Sequence, residues 1–153
     1  MSVRRSRRSV LGAAAVVGVG LSAAACSTGP HTLGAQLQAW ASNAGYSANV
    51  AQINADLKNL QNGYRERKLL SLRTACEGFS TDASQLYTQL PTPDHQITNE
   101  LGSALSDFFT ASVDCYASTS FQSQKFHQYQ HVMATARTVF SRALSQLESF
   151  GVH

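Results

Sequence analysis

Three cysteines are the residues of this sequence with the most chemistry available to them. Cys26 follows Ala23-Ala24-Ala25 at the end of an uncharged apolar stretch that runs from Val10. A chain that apolar must be cut or stay in a membrane, and small residues before a thiol suit both cleavage and thioether formation at the sulfur. Cys76 and Cys115 lie far from it and from each other, with no Cys-x-x-Cys spacing that would make a redox pair. His127 and His131 stand four apart, one helical turn, a spacing that can grip a metal ion. No Glu follows His127, so the metalloprotease arrangement is absent. Asp107 and Asp114 stand seven apart on one helical line, while Asp56, Asp82 and Asp94 have no motif around them and read as solubilising charges. There is no Gly-x-Ser-x-Gly and no phosphate-binding glycine loop. The expectation is no catalytic residue, no metal and no cofactor.

The first 25 residues have the three parts of an export signal in order. Arg4, Arg5, Arg7 and Arg8 form a basic start, the apolar stretch comes next, and the alanines precede Cys26. Ser6-Arg7-Arg8-Ser9-Val10-Leu11 resembles the twin-arginine export motif, with Arg7 and Arg8 as its pair. Ala23-Ala24-Ala25-Cys26 resembles a bacterial lipobox, with Ala23 in place of the usual Leu. That resemblance implies a Cys26 that carries diacylglycerol and fatty acyl chains such as palmitate. Several chains on one residue anchor firmly, because each buried methylene contributes about 0.8 kcal/mol. Residues 26–31 then form a short lipidated tether, polar and marked by Gly29 and Pro30. The expected location is the outer face of the cell membrane.

Charge supports this division. The whole chain has 12 basic and 9 acidic side chains, but four of the basic ones lie in the first eight residues. The remainder carries 8 against 9, so the basic balance belongs to the signal and gives no support to nucleic-acid binding. Hydrophobic residues make 43% of the 153, with 3 Pro and 10 Gly, which excludes collagen-like and disordered classes. The chain beyond the signal is long enough for one modest core and too short for two domains.

From residue 32 to 153 the apolar period is helical, so the expected fold is all-α. A short helix carries Leu33, Leu37, Trp40 and Ala44, and Gly45 ends it. The next, capped by Ser47, carries Val50, Ile53, Leu57 and Leu60 until Asn62-Gly63 interrupts. The third carries Leu69, Leu72, Cys76, Phe79, Ala83, Leu86 and Leu90 at steps of three and four. After Pro91, Thr92 as cap and Pro93 at the first helical position start the fourth, with Ile97, Leu101, Leu105, Phe108, Ala111 and Cys115. The last begins after a capping box of Thr119 and Gln122 and carries Phe126, Tyr129, Met133, Ala136, Phe140, Ala143, Leu147 and Phe150. Heptad-like stripes joined by short loops predict an up-down four-helix bundle with a small N-terminal helix against one side.

On that bundle Cys76 and Cys115 fall on the apolar stripes of adjacent helices, and an oxidising location favours a disulfide over two separate buried thiols. The axial distances from the Pro turn are about 21 and 33 Å, so a helix offset, a bend or a longer turn must absorb about 12 Å. His127 and His131 point away from the seam and read as a solvated face. His31, His95 and His153 are scattered. Tyr64-Arg65-Glu66-Arg67-Lys68 reads as a solvated helix start rather than a lipid-headgroup site, and Trp40 as core.

Trp40 with Gly45, Asp56, Cys76, the turn Pro91-Thr92-Pro93-Asp94 and Cys115 resemble small actinobacterial lipoproteins and secreted helical proteins. The resemblance implies a helical fold and paired cysteines and carries over no catalytic residues. Two roles fit an anchor plus a bundle. One is a non-enzymatic module that binds an envelope protein partner through a helix face. The other is a carrier of a small apolar ligand in a cavity of the bundle, for which Phe126, Phe140 and Phe150 are suggestive.

Overall fold

Five apolar stripes of period 3.6 become five helices in the computed structural model, which describes residues 32–153. They are α1 (Leu33–Asn43), α2 (Tyr46–Arg65), α3 (Leu69–Tyr87), α4 (His95–Tyr116) and α5 (Gln124–Ser149), with no strand among the described residues. The expected export signal and tether, with Arg7, Arg8, Cys26 and His31, lie outside the described residues.

Helices α2 to α5 pack in sequence order, each against the next, as an up-down bundle. The stripes supply the core: Ile53 and Leu60; Leu72, Phe79 and Leu86; Leu101, Leu105 and Phe108; and Phe126, Phe140 and Leu147 are all buried. Phe108 sits at the centre, edge-on to Phe79 at 4.9 Å and to Phe140 at 5.4 Å between ring centroids. These are the offset geometries that aromatic quadrupoles favour. At one end Tyr64, Phe121 and Phe126 form a second ring cluster.

Helix α1 closes the opposite end. The Trp40 indole Nε1 donates to the Gln89 carbonyl at 2.9 Å and Gln38 Nε2 donates to the Phe150 carbonyl at 3.2 Å. It therefore spans from the α3–α4 connection to the C-terminus of α5. A left-handed Gly45 (φ 58°) makes the sharp return from α1 to α2.

Several helix boundaries differ from those the sequence predicts, and α3 ends at Tyr87, short of Leu90. Helix α2 starts at Tyr46 behind Gly45, so Ser47 is inside it, and it runs through Asn62-Gly63 to Arg65. Gly63 is there for close packing: a Cβ on it would stand 3.2 Å from the Leu72 Cα of α3. Helix α4 is capped by Asp94, whose Oδ1 accepts from Ile97 N at 2.8 Å. Thr92 is occupied instead with Thr98, 2.9 Å between hydroxyls, and with the Asp94 carbonyl. Helix α5 is capped by Ser123, not Thr119, because the chain makes a further turn through Ser120 first. Asp94→Ala is expected to lower stability by about 1 kcal/mol, measured by urea denaturation, because it strips an N-terminal N–H of its acceptor.

Candidate functional site

Cys76 and Cys115 are joined by a disulfide, their Cα atoms 6.2 Å apart, and both residues are fully buried. The expected axial mismatch is absorbed by offset. The α3–α4 connection runs beside the first turns of α4, so Leu90 packs level with Gly102 and Tyr87 level with Ser106. Helix α4 thus begins well beyond the end of α3, and its longer run back to Cys115 meets Cys76.

The charged residues weighed for chemistry disperse. His127 and His131 are exposed on α5, and no group of three or more His, Cys, Asp or Glu among the described residues could hold a metal ion. Asp107 and Asp114 lie on the α5 side of α4, where Lys125 Nζ meets Asp114 at 2.7 Å. Arg67 lies over the rings of Tyr64 and Phe121, and Lys68 pairs with Glu66 at 2.9 Å. Trp40 is half-buried, tilted against Tyr46 with ring centroids 5.8 Å apart, in a structural position.

Asp56 is not a solubilising charge. It is buried on α2, in line with Ile53 and Leu60, because the helix turns that face toward α3. Gln52 Nε2 donates to its Oδ1 at 3.4 Å, while Oδ2 is buried and receives no donor. Burial first, and then the neighbouring Asp82 carboxylate of α3, push the Asp56 carboxyl up to about 6, against the opposing pull of Gln52 and Asn59. Below that pH the Asp56 carboxyl carries a proton that the neighbouring Asp82 carboxylate can accept. The folded state then holds this proton more tightly than the unfolded chain, whose carboxyl titrates near 3.8. The contribution to stability is therefore complete below pH 4 and is lost as pH rises through 6. The expected loss is about 1–2 kcal/mol, below the full conversion of the shift because partly exposed Asp82 keeps the pair near water. Urea melts at pH 4, 5, 6 and 7 measure it, and Asp56→Asn is expected to flatten that step.

Sequence reasoning did not single out an exposed apolar line on the bundle. Phe109, Val113 and Tyr116, spaced four and three, form an outward line on α4, each 51% exposed. Across the α3–α4 groove stand Tyr87, 52% exposed, then Ser84, Ser80 and Arg73. The groove opens into two clefts of about 270 and 460 Å³, floored by Leu105, Ser112 and Cys76. The Arg73 guanidinium covers the Tyr116 ring at 4.9 Å. A further cleft, about 240 Å³, lies between α2 and α5, whose backbones stay further apart, and is lined by Leu57, Leu60, Tyr64, Tyr129 and Met133. Tyr129 is buried there, which pushes its hydroxyl up to about 12 and keeps it neutral.

No protein-family model, no curated protein and no solved structure matches the chain, so the site stands on its own geometry.

Proposed function

We propose that the chain is a lipid-anchored, non-enzymatic protein of the cell envelope whose helical domain binds a protein partner through the α3/α4 face. The observation that carries this reading is the line Phe109, Val113 and Tyr116 beside a groove of small residues. Isolated apolar side chains on a surface need no explanation, but a contiguous patch of aromatic and aliphatic groups is a feature of interaction sites. Anchoring draws on Cys26 behind its alanines and on the export signal. The buried Cys76–Cys115 bridge is in keeping with an oxidising compartment. No described helix is long and apolar enough to cross a membrane, so in this reading the acyl chains alone make the attachment.

The carrier reading draws less support. The bundle seam, where an apolar ligand would lie, is filled by Phe79, Phe108 and Phe140, and the α2/α5 and α3/α4 clefts open to solvent on the surface of the bundle and do not enclose a cavity in it.

The test is photo-crosslinking in cells with a reactive residue at position 109 or 113, and at exposed Thr138 on α5 as control. Adducts at 109 and 113 but not at 138 are expected; equal labelling at all three would remove the proposed surface. For the anchor, mass spectrometry of the mature N-terminus is expected to find an acylated Cys26. Lysine at Arg7 and Arg8 is expected to block export, and normal export of that variant would rule out the twin-arginine route.

A further inference from the structure

We propose that the occupant of the α3/α4 face is a second copy of this chain. The inference deepens the reading above and rests on it only in taking this face as the interaction surface.

Size is the first argument. Phe109, Val113, Tyr116 and Tyr87 are each about half exposed, at 51–52%. With about 150–250 Å² for a whole aromatic side chain, they leave an apolar patch of about 400 Å². Homodimer interfaces are about 65% apolar, so a patch of this size belongs to a contact of about 600 Å² on each partner. That is the lower end of the roughly 600–1,000 Å² per partner of specific complexes.

Shape is the second. A two-fold contact sets one patch against itself, so the patch must carry both a projection and a recess to receive it. Here both lie side by side. The projection is the ridge of Phe109, Val113 and Tyr116 on α4. The recess is the trough between α3 and α4, where Ser80, Thr81, Ser84 and Ser106 replace large side chains. Turning a second copy end over end places each ridge over the other's trough, and the serines let the two helix pairs approach closely.

Charge is the third. Self-contact places like charges together, so a face of one sign repels its copy. Along α4 the acidic groups Glu100 and Asp114 turn to the α5 side, where they pair with Arg142 and Lys125. On α3, Asp82 turns to α2 and Asp56. What remains on the face is Arg73 and Glu77, one of each sign at one end, and no net charge stands against the contact.

Residues 32–153 contain the whole core described above and are the protein to test. Sedimentation equilibrium is expected to show a dimer, and Phe109→Glu or Val113→Glu is expected to raise its dissociation constant by about 30-fold or more. Both positions are exposed, so the variants keep their helical circular dichroism. Ser84→Cys protein mixed with Val113→Cys protein is expected to form a mixed disulfide dimer on mild oxidation, faster than either variant alone. A monomer at about 200 µM, a dimer indifferent to both glutamates, or no preference for the mixed disulfide would each overturn the proposal. A monomer in solution that still gives a heavier, different adduct from position 109 in cells overturns this inference and leaves the proposed function. A monomer with no adduct overturns both.

Discussion

Replacing Cys76 and Cys115 together by alanine is expected to cost about 4 kcal/mol and to lower the melting temperature by about 15 °C. The bridge closes a loop of 39 residues, and in the unfolded chain that closure removes conformations which the reduced chain regains. Domains of this size have about 5–15 kcal/mol in total, so a large share of the margin is at stake. Because the effect acts on the unfolded state, either single alanine variant should lose nearly as much as the double, and dithiothreitol should take the wild type most of the way to that level. A melting temperature that moves by less than about 3 °C on reduction would show that the packing of α3 on α4 suffices without the bond. The position of the bridge sharpens the expectation. Both cysteines are fully buried, so alanine also leaves unfilled volume. The dependence on oxidation bears on location, since a chain that needs this bond is most stable where thiols are oxidised.

The parts of the fold that rest on periodicity were legible in the amino-acid sequence alone. Leu72, Cys76, Phe79, Ala83 and Leu86 sit on one helical line, and all five are buried because one line of α3 is what the bundle covers. Helix ends were less legible, since capping is decided by competition. Thr92 and Asp94 are both good caps, two residues apart, and Asp94 takes the role because Thr98 engages the Thr92 hydroxyl from the next turn. Asn62-Gly63 carries a strong turn signal, yet here the glycine marks the point where α3 approaches α2 most closely.

The candidate site was largely illegible, for a related reason. Asp56 reads as a surface charge until its place in line with Ile53 and Leu60 is given weight over its type. Phe109, Val113 and Tyr116 each come directly after a buried residue, Phe108, Ser112 and Cys115, and share their spacing. That doubled line was the available signal. A helix with two adjacent apolar lines has more apolar surface than its own bundle can cover. Only the packing of α3 and α5 decides which line is left outside.

This doubling makes neighbouring substitutions on α4 the sharpest measure of the structure. Phe108→Ala is expected to destabilise the domain by about 3–5 kcal/mol, measured by urea denaturation. Its ring is fully buried and touches Phe79 from α3 and Phe140 from α5, so its loss opens a cavity that neither rigid neighbour can fill. Phe109→Ala, one residue on, removes a ring that is half in water and is expected to change stability by about 0.5 kcal/mol or less. The contrast matters more than either value, because a helix rotated by one residue would exchange the two effects. In that case Phe109, Val113 and Tyr116 would be core residues and the proposed interaction face would be gone. A large cost at 108 with a small one at 109 instead leaves the aromatic line free, with stability giving no account of why it is there.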